Sequence, residues 1–271
     1  MNRSQFYGLC PSDLPNARVK PLIEAYINAE ALMKALIICL AVFTFSSWGI
    51  VCAETDIHKQ RTDFSKPYMT IRLTYNYEVY KKPIFFKPKA LPSFVVWVEE
   101  ADSGYFESIF ITDKAAKNKW TLKRKRPEVM PVWDGQKKKE TSGKIDIDAI
   151  SAATPKGDMV TIYWQIPESF LDKKIDVYIE ANNSFDYNNA YHNTWGDPGY
   201  SSANGQPSIV WKSTITPGTD DMEVVSPRII GHGHVLGKNS DMDPDLSAIT
   251  TATQTFSKIS IRKVTPYTST R

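Results

Sequence analysis

The chain is poor in cysteine, and where its few cysteines fall decides much. It has three, Cys10, Cys39 and Cys52, and none after position 52. From Glu54 onward there is therefore no disulfide, thiolate nucleophile, haem-attachment motif or iron–sulfur ligand set. Other absences exclude further classes. No G-x-S-x-G elbow, P-loop or dinucleotide fingerprint occurs, and Ser151 in "DAISAATP" has no histidine near it in sequence. No run after Glu54 is apolar for long enough to span a bilayer as a helix. Charge of one sign is also missing. Of 33 Lys and Arg four precede Glu54, and of 30 Asp and Glu three do, which leaves 29 basic against 27 acidic residues. A chain so nearly balanced carries no nucleic-acid footprint, and no nucleic-acid partner is expected.

The N-terminus has the pattern of a secretory signal. "MKALIICLAVFTFSSWGIVCAETD" begins at Met33, with Lys34 as the n-region and Ala35 to Phe45 as the h-region. Val51 and Ala53 stand at −3 and −1 of a cut before Glu54. Residues 1–53 thus read as an upstream extension plus a signal, with Met33 as the start, and 54–271 as one domain. A lipoprotein reading would lipidate Cys52, but Val51 stands where such motifs want Gly or Ala. The expected location is the periplasm, with no membrane span after cleavage.

Beyond Glu54 the chain is rich in period-two patterning. "YMTIRLTYNYEVY" (68–80) alternates throughout and predicts a strand. "PSFVVWVEE" (92–100) and "YFESIFIT" (105–112) flank Asp102-Ser103-Gly104 and predict a hairpin. Four more strands are expected in 158–166, 173–181, 207–215 and 256–264, with room for a helix only over 113–120 and 247–254. Many short strands joined by Pro- and Gly-rich segments predict an all-β sandwich with long loop insertions at 121–157 and 182–206. Loops of such length are usually functional or disordered. The tail "TPYTSTR" reads as frayed.

The phrases "FVVWVEEADSGYFESIFI", "RPEVMPVW", "DAISAATPKGDMVTIYW", "DVYIEANNSFDYN", "NGQPSIVW" and "DPDLSAITTA" resemble a family of bacterial periplasmic proteins with a domain of unknown function. Its members are sometimes described by similarity to the immunoglobulin-like part of flagellar hook-capping proteins. The resemblance covers about residues 68–263 and implies an immunoglobulin-like antiparallel β-sandwich in the periplasm. It brings no catalytic residues. Family members occur beside membrane redox or flavin-transfer systems. The secretory signal departs from export by the flagellar route, so a flagellar role is discounted.

Three constellations can carry function. "GHGHVLGKNSDMDPDLS" (231–247) holds His232 and His234 at i and i+2, which on an extended segment share one face. With His192 and Asp241 they would form a divalent-metal site, because imidazole and carboxylate are its usual ligands. The competing reading is a glycine-flanked turn with solvated imidazoles. Asp241, Asp243 and Asp245 suggest calcium, but the EF-hand test fails at Leu246 and Ala252, where Gly and Glu are required. A looser calcium site competes with turn chemistry at Asp243 and a cap from Asp245. The second constellation, "NNSFDYNNAYHNTWGDPGY" (182–200), offers Tyr187, Tyr191, Trp195 and Tyr200 as ligand-stacking aromatics, or else as packing over the sandwich edge. In the third, "KRKRP" and "GQKKKE" could meet anionic surfaces, though short charge runs are usually solvated. Acid pairs such as Asp146 and Asp148 lack the separation that glycosidase chemistry requires. The expectation is a non-enzymatic periplasmic binding protein whose partner is a protein or a small ligand. The alternative is a metal-binding accessory protein of a periplasmic redox or flavin-linked system.

Overall fold

The computed structural model describes residues 54–58, 62–80, 91–100, 102–118, 120, 125–139, 150–152, 154–155, 157–215 and 225–266, all within the unit Cys52–Arg271. The cysteines, the signal segment, Asp146, Asp148 and residues 267–271 lie outside them. Among the described residues there are ten strands: β1 (Glu54–His58), β2 (Tyr68–Tyr75), β3 (Ser93–Glu100), β4 (Tyr105–Thr112), β5 (Ser151–Ala152), β6 (Met159–Gln165), β7 (Ile175–Asn182), β8 (Ile209–Ile215), β9 (Arg228–His232) and β10 (Phe256–Val264). They make a four-stranded sheet ordered β1-β6-β2-β10 and a six-stranded sheet ordered β5-β4-β3-β7-β8-β9. Neighbours are antiparallel except the β1/β6 and β4/β5 pairs. The two sheets form the expected all-β sandwich, and all seven expected strands are present.

Alternation explains the core between the sheets. Met69, Ile71 and Leu73 of β2 and Val160, Ile162 and Trp164 of β6 are buried on one side. Facing them are Phe94, Val96 and Val98 of β3 and Val177, Ile179 and Ala181 of β7. A bulge in the β3/β4 ladder at Val96/Trp97 places both Ile109 and Phe110 in this core, which strict alternation would forbid.

The six-stranded sheet is buried on its other face too. Val95, Trp97, Phe106, Ile111 and Val210 pack there with Val129, Met130, Val132 and Trp133 from the segment before and within a short helix, Pro131–Gln136. That is why "FVVWV" is a continuous apolar run: β3 has no solvent face. Within the expected 121–157 loop, residues 129–133 are therefore structural cover rather than a free insert. Trp133 donates its indole N–H to Ser108 at 3.0 Å. The N–H groups of Val132 and Trp133 donate to the carboxylate of Glu180, at 3.3 and 2.8 Å. A side chain of β7 thus caps this helix from across the sheet.

Two local expectations are corrected. The strand over 68–80 ends at Tyr75, and Tyr77–Tyr80 forms a helical turn. The side chain of Asn76 accepts from the Glu78 N–H at 3.2 Å, an Asx turn that the apolar alternation of Tyr77 and Val79 hides. In "KRKRP", Arg126 is buried and paired with Glu128 at 3.0 Å rather than solvated. Its guanidinium also donates to Ser184 and Asn204, tying the 125–139 segment to the 182–206 loop.

That second loop is a fold element built from buried amides. Asn183 donates to Thr255 at 2.9 Å, Gln206 accepts from the Thr250 N–H at 2.7 Å, and Asn204 donates to the Val235 carbonyl at 3.0 Å. Asp186 accepts the Thr251 hydroxyl at 2.8 Å. Gln206 and Asn204 satisfy backbone that a sheet ladder does not reach, and the other two bonds join side chains. They also fix the 182–206 loop against the 235–255 segment, where the site lies.

Candidate functional site

The stretch 231–247 leaves the end of β9 and folds back on itself. His232 and Asp243 exchange two backbone hydrogen bonds, His232 N–H to Asp243 O at 2.8 Å and Asp243 N–H to His232 O at 2.9 Å. The glycines before and after His232 permit this. A Cβ on Gly231 would stand 2.5 Å from the Asp243 carbonyl oxygen, and one on Gly233 would stand 2.5 Å from Pro131 and 2.6 Å from the Ser208 hydroxyl. Real Cβ contacts do not come so close, so "GHGH" records crowding by backbone and neighbouring side chains. Gly231→Ala should cost about 1–3 kcal/mol, as overpacking does. Thermal unfolding would measure the loss, and faster hydrogen exchange at the His232 and Asp243 amides would place it at this bridge.

The aspartate run consists of successive Asx turns. The Asp241 N–H donates to Asn239, the Asp245 N–H to Asp243 at 2.9 Å, and the Ser247 N–H to Asp245 at 2.9 Å. Turn chemistry thus accounts for the alternation. The Ser247 N–H holds the Asp245 carboxyl below its usual range. The expected capping bond is present, but it closes a turn; the 3₁₀ segment begins later, at Thr251.

This folding gathers a groove of about 440 Å³ lined by Tyr191, His232, His234, Asp241, Met242 and Asp243, with Val235, Asn239 and Pro244 at its margins. The two imidazoles enter it in opposite states. The Nδ1 of His232 lies 2.8 Å from the Gly233 carbonyl, an acceptor only, so this nitrogen carries a proton and, in the neutral ring, Nε2 presents a lone pair. The Nδ1 of His234 accepts the Leu236 N–H at 3.0 Å, so its proton resides on Nε2. The hydrogen-bond network assigns both tautomers. His232 Nε2 stands 3.9 Å from an Asp243 oxygen, beyond direct hydrogen-bonding distance. Burial first, then the Asp243 and Asp245 charges, push the Tyr191 hydroxyl up in pKa.

The expected metal set does not converge. His192 is outside this groove, on the 188–201 loop, where its ring packs on Gly199 and its Nδ1 accepts the Thr194 N–H at 3.4 Å. A metal-bound histidine donates from its other nitrogen, which His232 does and His234 does not. Among the described residues no group of three or more His, Cys, Asp or Glu could hold a metal ion. The four expected aromatics also separate. Only Tyr191 reaches the groove; Tyr187 donates its hydroxyl to the Ser202 carbonyl at 2.7 Å, and Trp195, 82% exposed, meets Tyr200 edge-on at 4.9 Å.

Met242 is the lining residue hardest to choose from sequence; Asp243 reads there as turn chemistry or as a ligand of a loose calcium site. Asp241 and Met242 also wall a second groove of about 530 Å³, whose floor is Trp97, Val210 and Tyr178. Trp97 and Tyr178 stack at 5.0 Å with planes 4° apart, and Lys212 sits over the Tyr178 ring. Nothing in sequence marks this floor, because its residues are ordinary strand positions. No helix among the described residues is long and apolar enough to cross a membrane. Comparison of the chain with protein-family models, with curated proteins and with solved structures finds no match.

Proposed function

We propose that this chain is a non-enzymatic binding or accessory protein of the periplasm, delivered by a cleavable signal, whose groove at 191/232–243 takes a small ligand or a side chain of a partner protein. The observation that carries the reading is the groove's complementary polar set: a lone pair from His232, an N–H from His234, and the carboxylates of Asp241 and Asp243. A volume of about 440 Å³ is in the range of small-molecule sites. The chemistry suits a ligand that donates from an amine or hydroxyl into the gap between His232 and Asp243. Its apolar part would lie against Met242 and Val235. The periplasmic assignment is supported by the secretory pattern that runs from Met33 to Ala53. The sandwich is in keeping with the immunoglobulin-like family that the sequence resembles.

A thermal-shift screen of amino acids, small amines and short peptides tests this. A ligand that raises Tm by several degrees in the wild type and does nothing for His232→Ala or Asp243→Asn is the expected result. A screen without hits, or with hits that act equally on the variants, overturns it. The metal-binding alternative has one observation behind it, the His232 lone pair facing Asp243 at 3.9 Å. Two protein ligands fall short of the three or four of zinc sites. Stoichiometric metal in protein purified without a His tag, lost in His232→Ala, would establish that alternative instead.

A further inference from the structure

Two acceptors in the groove at 191/232–243 face each other, and each is fixed by a bond made elsewhere. His232 is buried, at 8% exposure, and its Nδ1 is engaged by the Gly233 carbonyl at 2.8 Å. Asp243 Oδ1 is engaged by the Asp245 N–H at 2.9 Å. What each side chain turns toward the other is His232 Nε2 and Asp243 Oδ2, 3.9 Å apart. The paired backbone hydrogen bonds between the same two residues hold this spacing. In the neutral ring neither atom carries a hydrogen, so the two cannot bond to each other, and a lone pair stands against a carboxylate. One donor nitrogen about 2.8–2.9 Å from both fits that separation.

The surroundings favour a cation in that place. The lining contains Asp241 and Asp243 and neither lysine nor arginine. Among the described residues neither carboxylate forms an ion pair with a lysine or arginine. Lys238 is exposed and outside the lining. The Asp245 charge reaches the groove as well, since it acts with that of Asp243 on the Tyr191 hydroxyl. The Nε2–H of His234 and the Asn239 amide remain as donors, for an acceptor elsewhere on the ligand. Val235, Met242 and Pro244 supply the apolar wall.

Taking this groove as a binding site, as proposed above, we infer that its ligand is a primary ammonium ion on an alkyl stem. The ammonium bridges His232 Nε2 and Asp243 Oδ2, and the stem lies along Met242, Val235 and Pro244. Proton count selects this class. A hydroxyl has one proton and meets one of the two acceptors, whereas an ammonium has three and meets both. Its bond to Asp243 is charge-assisted, about twice as strong as a neutral one. A quaternary ammonium has the charge but no N–H to donate, so it lacks both bonds.

NMR-monitored titration of the full chain at about pH 8, where imidazoles are neutral and alkylamines protonated, tests the assignment. The probes are n-butylamine, N-acetyl-lysine amide, 1-butanol and tetramethylammonium. Saturable binding of at least one amine is expected, with a shift of the His232 Nε2 resonance. Its affinity should exceed that for butanol and for tetramethylammonium at least tenfold. Binding of the lysine probe extends the class to a lysine side chain of a partner protein; binding of butylamine alone restricts it to free amines. Asp243→Asn keeps an oxygen for the Asp245 N–H and can turn its amide N–H toward His232 Nε2. It should weaken amine binding at least tenfold while leaving Tm near the wild-type value. Asp241→Asn removes a charge and leaves the His232–Asp243 pair intact, so it should weaken binding only about two- to fivefold and lower its salt dependence. The ammonium assignment falls, and the groove stays a binding site, if butanol or tetramethylammonium binds as tightly as the amines. It falls in the same way if Asp243→Asn binds amines as the wild type does, or if neither amine binds while another compound gives the His232-dependent thermal shift. Binding by no compound in either experiment overturns both readings.

Discussion

Replacing Phe94 by alanine should lower the unfolding free energy by about 3–5 kcal/mol, the cost of deleting a fully buried aromatic side chain. Phe94 is wholly buried on β3 and touches rings from both sheets. Its centroid lies 5.0 Å from Phe110 on β4, 5.8 Å from Phe256 on β10 and 6.5 Å from Tyr75 on β2. The cavity left by truncation would open between two hydrogen-bonded sheets, which cannot close it without breaking register. Domains are stable by about 5–15 kcal/mol, so this one change removes a large share. Urea unfolding checks it: the midpoint should fall with little change in slope. Phe94→Leu fills most of the space and should cost less than half as much. A loss under about 1 kcal/mol for the alanine variant would mean that the two sheets are not joined through this cluster.

The strands were legible because each hides or shows a face. "YFESIFIT" matches β4 to the residue, and β2, β3, β6, β7, β8 and β10 were readable from the same period. β1, β5 and β9 were missed because two of them pair in parallel at sheet edges and "RIIGH" is too short to show a period. The helix Pro131–Gln136 was missed for a related reason: six residues give no 3.6-residue pattern, and "MPVW" reads as loop until the sheet face beneath it is known. At the site, residues near one another in sequence were found and residues brought by topology were not. His232, His234 and Asp241 share one groove as their spacing suggested, and Tyr191 joins them through the amide-pinned loop. Tyr187, Trp195 and Tyr200 scatter because spacing within a loop defines no common face.

The stability of the fold should fall as pH rises from about 4.5 to about 7, through Glu180. This residue is fully buried, and burial pushes its carboxyl up to about 7 from an ordinary 4.5, against the opposing pull of its hydrogen bonds from Ser208, Trp133 and Val132. The Asp134 charge adds to the upward push. A raised carboxyl pKa means that the folded state holds a proton which the unfolded chain gives up at lower pH. Stability from the neutral form is then fully present below about 4.5 and is lost as pH rises through about 7. The difference in pKa corresponds to about 3 kcal/mol between those limits. Glu180→Gln should flatten this slope, because the amide keeps one acceptor oxygen for the 131–136 helix and cannot ionise. Glu180→Ala should behave differently. It strands the N–H groups of Val132 and Trp133 and the Ser208 hydroxyl in a dry interior, each at about 1–3 kcal/mol. The alanine variant should therefore lose stability at every pH and loosen the cover beside Trp97 and Val210, which line the 530 Å³ groove. Chemical denaturation of the three proteins across pH 4 to 8 separates the two effects. An unchanged slope in Glu180→Gln would assign the pH dependence to another group, and a near-neutral Glu180→Ala would show that the helix is not held from β7.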